Sequence, residues 1–415
     1  MQDAVIVGAV RTPIGNFGGS LKTVPAYDLA ALVLNEVIKR TKLEPAQVGA
    51  VIMGQNYQSG EYVNIARMSL LKAGWPVEVP GLSLDRRCPS GLDAICLAAM
   101  MVQTGNADVV VAGGVESMST AEFYLSGDVR WGIGGVGDMP RGHGSPSIWG
   151  IPMHDRIQRA RVMSQPEDRF GLLPTMMTWA ETAAQEHNIT REEVDKWAVL
   201  SNQRACAAAE SGKFAEEIVP VPVPQRKGEP LLFSRDERPR ADTSLESLAK
   251  LKAVLNNGVC TAGNSSGEND GAAVCVIMSR EKAEALNITP MAYLRAFAFS
   301  GVDPRYAWKA ASTAADDVMQ KAGITLDQVD LIEIHEAFAA QILANFKELG
   351  ISEKDYDRVN VNGSCISLGH PLGATGARII ITLLHEMQRR QANRGLVSIC
   401  GGGGMGVSGL LEATV

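Results

Sequence analysis

The chain reads as an α/β protein made of two similar halves, and three observations predict this. Short β-branched runs alternate with longer amphipathic stretches, the pattern of strands linked by helices. Late segments echo early ones. A stretch of different composition separates the two.

In chain order, AVIVGAV, GAVIMGQ, ADVVVAGG, DLIEIHEA and GLVSICGG read as buried strands, rich in β-branched residues and bounded by turn residues. Helices are expected over 26–41, 91–104, 312–322, 337–349 and 374–391. The alternation predicts parallel sheets. EPAQVGAVIMGQ is echoed by TLDQVDLIEIHE, and CPSGLDAICLAAMM…ADVVVAGGVESM by HPLGATGARIIITLL…RGLVSICGGGGMG. In both later units a chemically reactive residue precedes a glycine-led helix, and the next strand ends in a Gly-Gly turn. This predicts an internal duplication of domain size. Residues 118–268 differ, being rich in Gly, Pro, Met and Arg. They hold one expected long helix over 191–211 and an extended stretch, IVPVPVPQRKGEPLLF. They read as an insertion placed to cover a site.

The 415 residues are enough for two or three domains. A 46% hydrophobic and 20% charged composition suits a soluble globular enzyme. A net charge of −7 argues against a nucleic-acid partner, although a local basic patch can still hold a phosphorylated ligand. Seven cysteines without a short-spaced framework fit a reducing cytoplasm. Cys88/Cys96 and Cys260/Cys275 lack zinc-ligand spacing, so no metal is expected. No apolar run is long enough to span a bilayer, and the chain opens on a strand with no signal-like segment before it.

Three residues in glycine-rich frames carry the chemistry. Cys88 lies in DRRCPSGLDAI, where Pro89 suits the first position of a helix. A thiol there is expected to have a lowered pKa, helped by Arg86 and Arg87. His370, between Gly369 and Pro371, is placed to take a proton from that thiol. Cys400 precedes Gly401, Gly402, Gly403 and Gly404, whose bare backbone N–H groups suit an oxyanion hole. His335 and Glu336 follow a strand, where ligand sites of α/β sheets lie, but they equally suit a helix cap. TAGNSSGENDGAAV reads as a polar loop able to meet a ligand's amides and hydroxyls.

With these residues in view, the chain resembles the thiolases over nearly its full length. RTPIGNFGG, CPSG, GGVESMS, DERPRADTSLESLAKL, TAGNSSGENDGAA, HEAFAAQ, GHPLGATGAR and CGGGGMG carry the resemblance in order. It implies two duplicated βαβαβαββ halves in a five-layer α-β-α-β-α arrangement plus an inserted loop domain. The first half would be 1–117 with 269–288, the insertion 118–268 and the second half 289–415. It implies an acetyl-CoA C-acetyltransferase or acetyl-CoA C-acyltransferase. Such an enzyme cleaves a 3-oxoacyl-CoA with CoA, or runs the reverse Claisen condensation. CoA and acyl-CoA are then substrates, and no cofactor is needed. Cys88 would be the acylated nucleophile, His370 its activator and Cys400 the acid/base. The N–H groups of Cys88 and Gly402 would hold one oxyanion, and His370 with a water on His335 the other. Ser266, Arg226 and Phe338 would contact CoA. A homodimer or homotetramer is implied, and His335 leaves a heteromeric β-oxidation complex open.

The chain departs from the family at several positions. His335 stands where many thiolases have asparagine, a variant shared with forms found in fatty-acid oxidation complexes. Asp85 replaces an asparagine, and Pro89 follows the nucleophile. Tyr306, Trp308 and Lys309 stand near a missing Gly-Pro-x-Pro stretch. Met176-Met177-Thr178 takes the place of His-Met-Gly. Trp131, His143, Trp149 and His154 populate the covering segment. These changes predict an acyl pocket for a longer, branched or aromatic chain. The rivals are a synthase-type condensing enzyme, a cysteine hydrolase, and an inactive or partner-dependent acyl-CoA-binding subunit. Cys400 before the glycine run argues against the first two, and the retained Cys88, His370 and Cys400 against the third.

Overall fold

The computed structural model describes residues 2–127, 129, 153–173 and 175–414. The first half runs β1 (Ala4–Arg11), α1 (Ala26–Thr41), β2 (Ala50–Gly54), a short helix Ile65–Lys72, β3 (Gly81–Leu84), α2 (Ser90–Gln103) and β4 (Val109–Ser117). The middle segment carries α3 (Arg191–Glu210), opened by a capping box between Thr190 and Glu193. The chain then returns to the first half as β5 (Asn269–Ser279). The second half follows as β6 (Ala292–Gly301), α4 (Lys309–Ala322), β7 (Leu331–Ile334), α5 (Ala339–Leu349), α6 (Leu372–Arg390), β8 (Arg394–Gly401) and β9 (Met405–Glu412).

The first half is thus β-α-β-α-β-α-β-β. The second repeats it, except that a single parallel bridge, Ile332 to Val359, stands where β3 pairs with β2. Among the described residues these strands, with the two-residue strand Gly15–Asn16 on β5, form a ten-stranded sheet of order β7-β8-β9-β6-β1-β5-β4-β2-β3. The halves meet edge to edge where Val5 pairs with Tyr293 and Ile6 with Ala292. The expected two sheets are therefore one hydrogen-bonded continuum.

The expectation of parallel sheets is corrected. Among the described strand pairs, only β2–β3, β2–β4 and β7–β8 are parallel. The remaining main pairs are antiparallel, because β5 and β9 enter without a crossover helix of the βαβ kind. Strands β3, β5, β6 and β9 were not legible from the pattern. In β5 all eleven residues are buried, so Ala, Gly, Val and Cys run on without polar alternation.

Burial alternates along the strands and defines the layers. Ala272, Val274, Val276 and Met278 of β5 join α1 in one core. Ala273, Cys275 and Ile277 face α2 and α6 in a second. Val397 and Ile399 of β8 turn to that same central core, while Leu396 and Cys400 join α4 and α5 in a third. Helices, sheet, helices, sheet and helices therefore stack in five layers. In the central layer α2 and α6 nearly touch. A Cβ on Gly91 would lie 2.7 Å from the Ala377 nitrogen, and one on Gly376 2.4 Å from the Leu92 nitrogen.

Candidate active site

The helices of the central layer each deliver a reactive side chain from the loop just before their first turn. Cys88 precedes Pro89, the N-cap of α2. Arg87 adopts φ 59°, a left-handed conformation that costs a non-glycine residue roughly 1–2 kcal/mol. Its neighbours hold it there. Asp85 Oδ1 accepts from the Arg87 N–H at 2.7 Å, and the Ser90 N–H and hydroxyl donate to the Arg87 carbonyl at 2.9 and 2.6 Å. Asp85, a departure from the family pattern, thus shapes the nucleophile loop.

His370 precedes α6, and Asn269 Oδ1 accepts its backbone N–H at 2.9 Å. His370 Nε2 lies 3.2 Å from Cys88 Sγ. Its Nδ1 lies 2.7 Å from Thr375 Oγ1, which also lies 2.9 Å from the Pro371 carbonyl. A carbonyl only accepts, so the Thr375 hydroxyl donates to Pro371 and its lone pair takes the Nδ1 proton. Nε2 is then the bare nitrogen facing the thiol, the tautomer a base requires.

Cys400 is the last residue but one of β8, and His335 follows β7, its parallel neighbour. Cys400 Sγ lies 3.7 Å from His335 Nδ1, and the rings of His335 and His370 pack at a tilt of 49° with centroids 4.4 Å apart. Four residues separated widely in sequence are therefore brought together: Cys88, His335, His370 and Cys400. His335 Nε2 is buried without a protein partner among the described residues.

Burial dominates the electrostatics of this cluster. It pushes the Cys88 thiol up to about 12, against the Arg87 guanidinium and the backbone N–H groups of Gly402 and Cys88 itself. The expected lowering is corrected: desolvation of a buried thiolate outweighs the Arg87 guanidinium and the two backbone N–H groups. Burial, with Arg378 and Arg161, lowers His370 to about 3. Burial and the neighbouring His370 hold His335 well below the usual imidazole range, and burial raises Cys400. The resting site is neutral, two thiols and two unprotonated imidazoles.

The site opens into a cavity of about 200 Å³. Tyr57, Met176, Met177, Trp179, Phe338 and Leu372 give it apolar walls, while Arg87, Arg161, Ser266 and Glu268 add polar groups. Cys88, His370 and Gly402 line its base. The loop bearing Ser266 is pinned to the loop after β7: the Ser266 N–H donates to the Ala337 carbonyl at 2.9 Å. Its Asn264 is used internally, bonding Thr261, Val259 and Asp195. Glu336 is likewise structural, accepting from Trp197, Ser201, Asn360 and Ile366. Arg226 is exposed and lines neither this cavity nor a second one of about 370 Å³ that includes Arg238, Arg240 and Ser247. Tyr306, Trp308 and Lys309 also lie outside both cavities. His154 lies against Tyr124 at a tilt, in a short antiparallel strand pair; Trp131, His143 and Trp149 fall outside the described residues.

Sequence reasoning missed Thr375, Asn269, Arg161 and Cys365. The first two act through hydrogen bonds that folding alone creates. Cys365 precedes His370 by five residues, a visible signal. One ligating atom each from Cys365, His335 and His370 falls within 4.8 Å of the others, the one such metal-capable group among the described residues. Arg378, at 2.9 Å from Cys365 Sγ, places a cation against that group and opposes a metal there.

Comparison with known proteins shows the family. Residues 4–281 match the model of the thiolase N-terminal domain and residues 288–413 that of the thiolase C-terminal domain. The chain is 45% identical to the acetyl-CoA acetyltransferase of Pseudomonas aeruginosa over 410 residues, 98% of each chain. It is 40% identical to a probable acetyl-CoA acyltransferase of Staphylococcus aureus, over 99% of each. The crystal structure of the Bacillus anthracis acetyl-CoA acetyltransferase superposes with a TM-score of 0.90 at 42% identity, covering 100% of this chain and 99% of that one. Matched by both domain models and by relatives along its whole length, this chain belongs to the thiolases, a family of acyltransferases.

Proposed function

We propose that the protein cleaves 3-oxoacyl-CoA thioesters with CoA, through an acyl group carried on Cys88. The observation that carries this reading is the 3.2 Å approach of a bare His370 Nε2 to the Cys88 thiol. His370 takes the thiol proton as the sulfur attacks the keto carbon. The N–H groups of Cys88 and Gly402, aimed at that sulfur, are suited to hold the tetrahedral oxyanion. Collapse breaks the bond between C2 and C3 and leaves the acyl group on Cys88. Cys400 gives its proton to the departing enolate, so acetyl-CoA leaves and Cys400 becomes the thiolate. That thiolate takes the proton of incoming CoA, whose sulfur displaces Cys88. His370 then returns the first proton to Cys88. The thioester supplies the activation, so CoA and acyl-CoA serve as substrates without a resident cofactor.

We assign the pantetheine arm to the passage by Ser266 and Phe338. The charged end of CoA goes to Arg238 and Arg240 of the second cavity, bordered by the same loop, in place of Arg226. The apolar walls favour an acyl chain longer than acetoacetyl, including branched or aromatic ones. The protein is read as a homo-oligomer. β3 pairs only with β2 among the described residues, and its free edge, with exposed Leu82, is the seam expected for a second copy.

CoA-dependent cleavage across a panel from acetoacetyl to long-chain and aromatic 3-oxoacyl-CoAs tests this. Cleavage that disappears in Cys88→Ala and Cys400→Ala supports the mechanism. Acetoacetyl-CoA as by far the best substrate would remove the large acyl pocket. No cleavage of any thioester would favour an inactive or partner-dependent subunit.

A further inference from the structure

The catalytic cavity carries a positive charge that no carboxylate pairs directly among the described residues. Arg87 and Cys88 are neighbours in sequence, yet both line the cavity. Successive residues of an extended chain point to opposite sides. The left-handed turn at Arg87, fixed by Asp85 and Ser90, is what puts both on one wall. The Arg87 side chain donates to the Ala160 carbonyl at 2.8 Å, and among the described residues no carboxylate lies within ion-pair distance of it. The second arginine of the cavity, Arg161, is paired with Glu268 at 2.7 Å, so those two charges cancel. Among the described residues, Arg87 therefore leaves the space above the nucleophile with a cation that no carboxylate pairs directly.

The phosphates of CoA are poorly placed to meet it. The thioester carbon must reach Cys88, and the whole pantetheine arm lies between that carbon and the nearest phosphate. An anion met beside Cys88 belongs to the acyl side of the substrate. We propose that the acyl group this enzyme transfers carries a terminal carboxylate, bound by the Arg87 guanidinium. The substrate class is 3-oxodicarboxylic acid mono-CoA thioesters. The inference rests on the thiolase reading above and specifies its acyl group. A guanidinium suits this task, since its planar fork matches a carboxylate and a half-buried pairing strengthens the bonds. Met176, Met177 and Leu372 then flank the methylene chain between the thioester and the acid.

The test is thiolysis of a matched pair, 3-oxoadipyl-CoA and 3-oxohexanoyl-CoA, which share a six-carbon chain and differ in the terminal carboxylate. Acetoacetyl-CoA is the control for thiolase chemistry. The expected result is a kcat/KM about ten-fold or more higher for the acid, carried mainly by KM. Arg87→Gln should bring the ratio near one, and Arg87→Lys should keep part of it. High salt should erode it. A wild-type ratio near or below one overturns the proposal without needing a variant. So does an Arg87→Gln that slows both substrates equally, for Arg87 would then only tune the Cys88 thiol. If acetoacetyl-CoA and both longer thioesters are inert, the thiolase reading itself falls. Cleavage of the neutral pair member alone removes the carboxylate and leaves that reading standing.

Discussion

The two halves share one plan and divide the chemistry unequally. Each places a reactive residue before a helix of the central layer, Cys88 before α2 and His370 before α6. Each opens its second strand with a capping-box turn ending in glutamine, Gln47 and Gln328. Counted from that glutamine, the position of His335 in the second half is held by Gly54 in the first. A Cβ on Gly54 would lie 2.6 Å from Ser90 Cβ, and one on Gly114 1.9 Å from the Gly373 carbonyl oxygen. Where the second half carries His335, the first half carries space. That space admits the first turn of α6, which Glu116 grips by accepting the Gly373 N–H at 2.9 Å. Duplication thus gave one half the nucleophile and the docking surface, and the other both imidazoles and the second thiol.

Breaking the first half's contribution should have the largest effect. Cys88→Ala is expected to lower kcat/KM by roughly 10⁶-fold, with no acyl-enzyme seen by mass spectrometry. Retained turnover would move the nucleophile elsewhere. Cys400→Ala attacks the other half. It should keep alkylation of Cys88 by iodoacetamide, which draws only on His370, but lose exchange of the acetyl methyl protons into deuterated water, by about 10³-fold. Equal loss of both steps would show that the two thiols do not divide the work as assigned.

Filling the first half's space is the structural counterpart. Gly114→Ala should destabilise the protein by about 3 kcal/mol or more in chemical denaturation, because backbone must move. A neutral result would mean that α6 does not depend on that close approach. Thr375→Val removes the acceptor for His370 Nδ1 and should cost about ten-fold in acylation rate with little change in KM. The smallest signal is a flat one. With His370 held near 3 by burial, the base stays neutral above that value, so acylation should show no inflection near the ordinary imidazole pKa of about 6.5. A fall in rate as pH drops through that point would mean that the ring titrates like a solvated one.

Much of this was legible in the sequence. The echo between EPAQVGAVIMGQ and TLDQVDLIEIHE is the capping-box strand of each half, and α1 spans the expected range. Cys88, His370, Cys400 and His335 do converge. The failures have physical causes. Strand β5 is buried on both faces and so shows no alternation. The thiol's environment depends on how deeply the loop is enclosed, which a local helix-start argument cannot register. Arg226 is basic but sits on an exposed turn, whereas Arg238 and Arg240 line a cavity. Arg87 was read as a charge near the thiol; its shared wall with Cys88 comes from one backbone dihedral.

The reach of the Cys88–His370 contact sets the order in which this molecule can become reactive during synthesis. The partners lie 282 residues apart, and β1 waits for β5, on the far side of the middle segment, for its main pairing. A ribosome-bound first half therefore displays a thiol with no base beside it and a sheet missing an inner strand. Reactivity switches on only when α6 slides into the glycine-lined gap. Until then the growing chain holds the nucleophile without the base that acyl transfer draws on.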